Sequence, residues 1–220
     1  MVSNATLADV IFVLAQTIDQ YGKKALGIFV VDRQQEGLQI GPREEKIGVR
    51  AMPLAPVILD NLHLEPDSLL GGVIKGTEQW RQTMVKMRLV ISAQSLGIAE
   101  GSFRKGLAYA KLRRGFGKRP IDVEINQLKF AGMKTKLAAC EAYYNEYIRG
   151  SMTNERRVSM LKVITSDTAK EISEEIIRIT GSYSFIADND IERYVHNANI
   201  TCAYGGETDN LKRKIAEVWL

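Results

Sequence analysis

The chain has 220 residues, of which 45% are hydrophobic and 25% charged, and a formal net charge of +4. That is an ordinary globular balance, enough for one large domain or two small ones. The mild positive charge leaves room for an anionic ligand but lacks the dense basic face of a nucleic-acid binder, and zinc spacings, aromatic RNA-binding motifs and a Walker glycine loop are all missing.

The first residues, "MVSNATLADV", carry no basic n-region, and the apolar run "VIFVLA" is too short for a signal peptide or a membrane span. Up to residue 75 the texture is β. "VIFVLAQTI" and "ALGIFVVDRQ" are short runs rich in Val, Ile and Phe, and "VILDNLHLE" alternates through Val57, Leu59, Leu62 and Leu64. Turn signals ("DQYGKK", "QQEG", "GPREEK", "EPDS") separate them. About five strands and no helix are expected here, on this pattern. Such a stretch leaves open sheet edges and a thin core, so it reads as part of a sheet domain that something else completes.

After residue 75 the period becomes helical. Trp80, Met84, Met87 and Ile91 are spaced by fours and threes, and the pattern continues through Ile98, Phe103 and Leu107 to about Leu112. A second helix is expected from Val123 to Ile148, with Leu137, Cys140, Tyr144 and Tyr147 on one stripe. "GSMTNE" reads as a loop, and a third helix carries Val158, Leu161, Thr165, Ala169, Ile172, Ile176 and Ile179 until "TGSYSF" breaks it. Shorter helices are expected over Asp190–Ala203 and Thr208–Val218, the last capped by Thr208 or Asp209. Short loops between long helices favour antiparallel neighbours. The fold class is therefore α+β: a partial antiparallel β domain over residues 1–75, then an up-down four-helix bundle over 76–220. Cys140 and Cys202 are too few for a disulfide framework and read as reduced, buried thiols of a cytoplasmic protein. With only His63 and His196, histidine chemistry is poorly supplied.

"AKLRRGFGKRPI", residues 110–121, joins the first two helices. Basic residues favour a helix C-terminus, and Gly115 or Gly117 suits a left-handed cap. The same residues also suit an anion: Arg113 can fork onto a pyrophosphate and Phe116 can lie against a flat ring.

The block "RLVISAQSLGIAEGSFRKGLAYAKLRRGFGKRPIDVEINQLKFAGM", Arg88 to Met133, resembles the first two helices of the C-terminal bundle of the acyl-CoA dehydrogenases. Those are flavoenzymes that desaturate acyl-CoA thioesters. "VSNATLADVIFVLAQT" and "EKIGVRAMPLAPVILDNLHLEPDSLLGG" look like parts of the family's β domain, and "IRITGSYSFIADNDIERYVHNANI" like its adenine-side glycine turn and the helix after it. The order and spacing agree along nearly the whole chain. The resemblance implies an FAD cofactor and an acyl-CoA substrate. It also implies that the family's N-terminal helical domain and first β strands are not among these residues.

On that resemblance, Arg113, Phe116 and Gln127 contact the FAD of a neighbouring subunit. Ser3 hydrogen-bonds near flavin N5, with Met1 where the family has a ring-covering aromatic, and Gly181 lets backbone approach the cofactor. Arg178 and Ser182 stand for the family's glutamine and second glycine there, and His196–Asn197 for an Arg–Asp pair. The family's catalytic glutamate removes the substrate α-proton while a hydride leaves the β-carbon for flavin N5, and burial tunes such a base toward neutrality. "CAYGGETDN" puts Gly205 at that place, or Gly206 with one insertion, and the alternative place on the first bundle helix holds Met87. Glu207 is the carboxylate of that turn, read either as a displaced base or as a glutamate favouring a helix N-terminus. Arg88 matches a family arginine on the substrate side.

Two functional readings follow. One is the C-terminal part of a split flavoenzyme, catalysing α,β-desaturation of an acyl-CoA or the reverse reduction, and completed by a second acyl-CoA dehydrogenase-like chain or further copies of itself. An electron-transferring flavoprotein would be its redox partner. The other is a non-catalytic structural subunit of a larger flavoprotein complex. A truncated gene product is a third possibility.

Overall fold

A computed structural model describes residues 1–150 and 154–220. The chain divides into two compact units, Met1–Met84 and Val85–Leu220.

The first unit holds six short strands: β1 (Val2–Ser3), β2 (Val10–Ile18), β3 (Lys24–Asp32), β4 (Leu38–Ile40), β5 (Leu54–Ala55) and β6 (Val57–Leu59). They pair antiparallel as β1–β5, β2–β3 and β4–β6. The β2–β3 hairpin is the longest, in register from Val10 opposite Asp32 to Ile18 opposite Lys24. Asp19 closes its turn, accepting from the backbone N–H groups of Tyr21 and Lys23, each at 2.9 Å. The alternation in "VILDNLHLE" does not make one long strand. Pairing stops at Leu59, and Asn61 follows in the left-handed region at φ 48°. Short 3-10 turns form at Pro66–Ser68 and Leu70–Gly72.

Among the described residues five α-helices follow: α1 (Gly76–Leu112), α2 (Glu124–Ile148), α3 (Glu155–Thr180), α4 (Glu192–Ala203) and α5 (Thr208–Ala216). With the paired strands they make the α+β architecture with a helical bundle. The α3 helix packs against α2, α4 and α5. Asn154 caps α3 by accepting from Arg156 N–H at 2.8 Å. The expected loop at "GSMTNE" falls in part on residues 151–153, outside the described residues. The α5 helix is not capped by Thr208 or Asp209. Glu207 is its N-cap residue, and the Thr208 hydroxyl instead donates to the Cys202 carbonyl at 3.3 Å.

The core of the helical unit gathers Ala99, Phe103, Ala110, Phe130, Met133, Leu137, Ala169, Ile172, Ile176, Ile191 and Ala198. Small residues on α1 let its neighbours in. A Cβ at Gly106 would lie 2.4 Å from Ile176 Cδ1, and one at Gly101 would lie 2.7 Å from the Tyr194 ring. The apolar stripe expected for α1 is buried only in part, at Ile91 and Phe103, with Ile98 and Leu107 packed on the core. Trp80 and Met87 are exposed, while Arg88, Ser92, Ser95 and Ser102 are buried beside Ile91 and Ala99. Ser92 and Ser95 fit because their hydroxyls fold back on the helix, Ser92 donating to Arg88 O and Ser95 to Ile91 O, both at 2.8 Å. Cys140 is buried, but Cys202 is only half-buried, and both thiols are free. Among the described residues no helix is long and apolar enough to cross a membrane.

Candidate functional site

The segment 110–121 is a helix end followed by a tight hairpin. The α1 helix stops at Leu112 with Arg113 N–H on Tyr109 O at 2.9 Å, and no glycine caps it. Gly115 and Lys118 then exchange two backbone hydrogen bonds, of 2.9 and 3.1 Å. Between them Phe116 and Gly117 both take positive φ, 52° and 79°. Two central residues in the left-handed region make a two-residue turn of the kind that matches strand twist. Gly117 therefore serves the hairpin rather than a cap. Phe116 pays a steric cost that a bulky residue avoids elsewhere, and its ring stands fully in solvent at 110% relative exposure. Arg119 and Asp122 form a fork beyond it, with Nη2 2.7 Å from Oδ1. These hydrogen bonds hold the Asp122 carboxyl down at about 2.

Arg113 lines a groove of about 390 Å³ together with Lys105, Tyr109, Tyr183, Asp188 and Asn189. The Tyr109 and Tyr183 rings stand 4.7 Å apart at a 38° tilt. The groove thus joins Arg113 to the segment following Gly181. Gly181 itself is the C-cap of α3, with φ 58° and its N–H on Ile177 O. Gln127, on the first turn of α2, donates to Ile121 O at 3.0 Å. Arg178 points to Glu175 at 3.0 Å in a surface ion pair. Burial works against charge on Glu175, but hydrogen bonds from Lys129 and Arg178 overcome it and keep its carboxyl below the usual range. In the first unit Ser3 sits on β1 opposite Leu54, and Asn4 follows in the left-handed region with its N–H on Pro53 O at 2.7 Å.

A second constellation surrounds the turn from Tyr204 to Glu207. Arg88 is 7% exposed, and its Nε donates to the Gly205 carbonyl at 3.1 Å. Its Nη1 reaches Glu155 Oε1 at 3.1 Å and Ser159 Oγ at 3.2 Å. Lys214 also pairs with Glu155. Burial alone would raise the Glu155 carboxyl, but hydrogen bonds from Lys214 and Arg88 hold it below the ordinary carboxylate range. The Tyr204 hydroxyl donates to Gln94 Oε1, and burial pushes the phenol up against that bond.

Both glycines of the turn are conformationally required. Gly205 has φ 70° and Gly206 φ 102°. A Cβ at Gly205 would lie 2.3 Å from Ile91 Cδ1, so the isoleucine fills the place of a side chain there. Met87 is 37% exposed, one residue from Arg88. The Glu207 carboxylate is exposed at the N-cap of α5 and accepts from Asn210 Nδ2 at 3.2 Å. The fold thus gathers Arg88, Gly205, Gly206 and Glu207 at one turn, and Arg113 with the residues after Gly181 at another place.

Lys162 escapes a reading by apolar periodicity. It is fully buried on α3, and its ammonium donates to Cys202 O at 3.0 Å and Gly206 O at 2.9 Å. Desolvation pushes its pKa down. A lysine among Val158, Leu161 and Thr165 on the buried stripe is the signal that could have found it. Tyr109, Tyr183, Glu155 and Lys214 carry no such mark.

Comparison with known proteins agrees with this architecture. The family model for the acyl-CoA dehydrogenase C-terminal domain matches residues 75–220, and that for the acyl-CoA dehydrogenase middle domain matches residues 1–62. The chain is 30% identical to a 3-(aryl)acrylate reductase of Clostridium sporogenes, over 98% of this chain and 58% of that protein. It is 29% identical to subunit CarC of the caffeyl-CoA reductase–Etf complex of Acetobacterium woodii, over 93% of this chain and 55% of that protein. An acyl-CoA dehydrogenase structure from Geobacillus kaustophilus superposes with a TM-score of 0.90 at 26% identity, covering 99% of this chain and 58% of that one. The chain therefore spans little more than half the length of these relatives. With both family models matched in order along it, the chain belongs to the acyl-CoA dehydrogenase family.

Proposed function

We propose that these residues form part of a flavin-dependent oxidoreductase acting on acyl-CoA thioesters, by α,β-desaturation or the reverse reduction, within an assembly that supplies the remaining parts of the site. The carrying observation is the hairpin at Gly115–Lys118. It holds Phe116 fully exposed at an unfavourable φ, three residues along the chain from Arg113, which lines a groove with Lys105 and two tyrosine rings. A strained, solvent-facing aromatic in a basic segment is useful when a planar, anionic group from outside the chain lies against it.

The donor set fits FAD. Arg113 and Lys105 suit its pyrophosphate, and Phe116 with Tyr109 or Tyr183 suits its flat rings, with Gln127 and Gly181 as further contacts. Ser3, in the first unit, would separately meet a flavin near its N5. FAD would supply the hydride acceptor or donor. Arg88 would keep the substrate-side turn in shape, and Glu207 is the base we propose for that turn. The reductive direction draws support from the two relatives named as reductases, and a neighbouring electron-transferring flavoprotein from the relative named as a subunit of an Etf complex. Further copies of this chain, or a second chain of the same family, complete the proposed assembly.

A structural, non-catalytic role is the second reading. It is favoured by Gly205, whose missing side chain is replaced by Ile91. Purification of the assembly through a tag on this chain separates the two. A yellow complex whose flavin is reduced by an acyl-CoA, or reoxidised by an enoyl-CoA, supports the first reading. A complex that stays colourless in excess FAD overturns it.

A further inference from the structure

We propose that Lys162 is a positioning residue that, with Arg88, holds the 202–207 turn from inside the bundle and fixes where Glu207 and the start of α5 stand. It rests on the proposed function only in taking this turn as the substrate-side one.

Three carbonyls of the turn end on cations. Cys202 O and Gly206 O accept from the Lys162 ammonium, and Gly205 O accepts from Arg88 Nε. Cys202 lies in the last turn of α4, where carbonyls lack helical partners and attract positive charge. Gly206 directly precedes Glu207, the N-cap of α5. One ammonium therefore ties the end of one helix to the entry of the next, and it does so from α3, a third helix. A lysine suits this task because a single nitrogen carries three donors.

Both hydrogen bonds of the Lys162 ammonium go to neutral carbonyls. Keeping an ammonium in a fully buried place is costly unless its donors are well used. Such a charge is retained at a stability cost when it specifies one backbone geometry. Here the geometry is demanding, since consecutive residues at φ 70° and 102° have many alternatives open to glycine. With Ile91 against Gly205 on α1, the turn is held by α1 and α3 together.

The test compares Lys162→Met with Leu161→Ala in the full chain. Methionine keeps the bulk and removes every donor. Leu161 is equally buried on the same helix but makes only packing contacts of its side chain. Backbone hydrogen exchange is followed by mass spectrometry. The expected result is a rise of about tenfold or more in exchange over residues 203–211 for Lys162→Met, with α2 unchanged, whereas Leu161→Ala loosens the whole helical unit. Unchanged protection of 203–211, or a pattern matching Leu161→Ala, overturns the proposal. Should the methionine variant fail to fold, the unmodified chain decides: NMR correlations from the Lys162 ammonium nitrogen to the Cys202 and Gly206 carbonyl carbons are expected, and their absence refutes the brace. In an assembly that turns over a thioester, Lys162→Met lowers kcat and leaves KM unchanged; a rise in KM at unchanged kcat counts against a positioning role. If the unmodified assembly shows no turnover, the proposed function falls, and the exchange and NMR results still decide the brace.

Discussion

Replacing Phe116 by glycine should make the helical unit more stable and the assembly less able to keep its cofactor. The backbone at this position has φ 52°, and the ring packs against nothing in the chain. A bulky residue in the left-handed region costs about 1–2 kcal/mol. Glycine removes that cost but gives back about 0.5–1 kcal/mol through the extra freedom of the unfolded chain. The net gain is about 0.5–1 kcal/mol, a rise of roughly 1–4 °C in Tm for a domain of this size. Calorimetry of Phe116→Gly against Phe116→Ala measures it. Alanine keeps the backbone penalty and should leave Tm unchanged. Flavin content, read from absorbance after gel filtration, should fall in both variants because both lose the ring. A fall in Tm for the glycine variant, or an equal rise for the alanine variant, refutes the strain argument. Full flavin retention in both refutes the use assigned to the ring.

Arg88→Ala strips buried donors from Gly205 O, Glu155 and Ser159, and denaturant titration should show a loss of about 3–5 kcal/mol. Glu155 has its carboxyl pKa held below the unfolded value, so its contribution is fully present above the unfolded pKa and disappears as pH falls through the folded one. The urea midpoint should drop between about pH 5 and pH 3 in the unmodified chain and less steeply in Glu155→Gln. Gly205→Ala places a Cβ 2.3 Å from Ile91 Cδ1 at a φ of 70°, and should cost roughly 2–3 kcal/mol. Ile91→Val deletes that clashing atom; alone it should cost about 1 kcal/mol, yet in the Gly205→Ala background it should cost nothing or stabilise, which a double-mutant cycle reads directly. In an active assembly, Glu207→Gln should abolish thioester turnover while flavin content stays unchanged, and unaltered turnover removes Glu207 as the base.

The long elements were legible because their signal is periodic. The α2 and α3 helices follow their apolar stripes within a residue or two, and the β2–β3 hairpin follows its Val, Ile and Phe runs. The buried face of α1 was legible only in part: Ile91 and Phe103 of the stripe are buried, but Arg88, Ser92, Ser95 and Ser102 on the same face are residue types that an apolar stripe passes over. Lys162 was missed for the same reason. Its burial is stabilised by carbonyls 40 and 44 residues away, which no local pattern encodes. The family motif at Arg113–Phe116 was readable as residues, but not that Phe116, rather than glycine alone, takes the left-handed place in the turn. Nor could spacing show that Ile91 occupies the volume left at Gly205, a contact between residues 114 positions apart in number.

Arg113 and Phe116 are proposed to grip a flavin which an acyl-CoA reduces or an enoyl-CoA reoxidises. The most direct measurement is flavin absorbance of the assembly carrying this chain, before and after thioester addition, with and without Arg113→Ala. A flavin that responds to the thioester in the unmodified assembly, and is lost or loosely held in the variant, is the predicted result. An assembly that binds no flavin, or holds it equally well without the Arg113 guanidinium, refutes that grip.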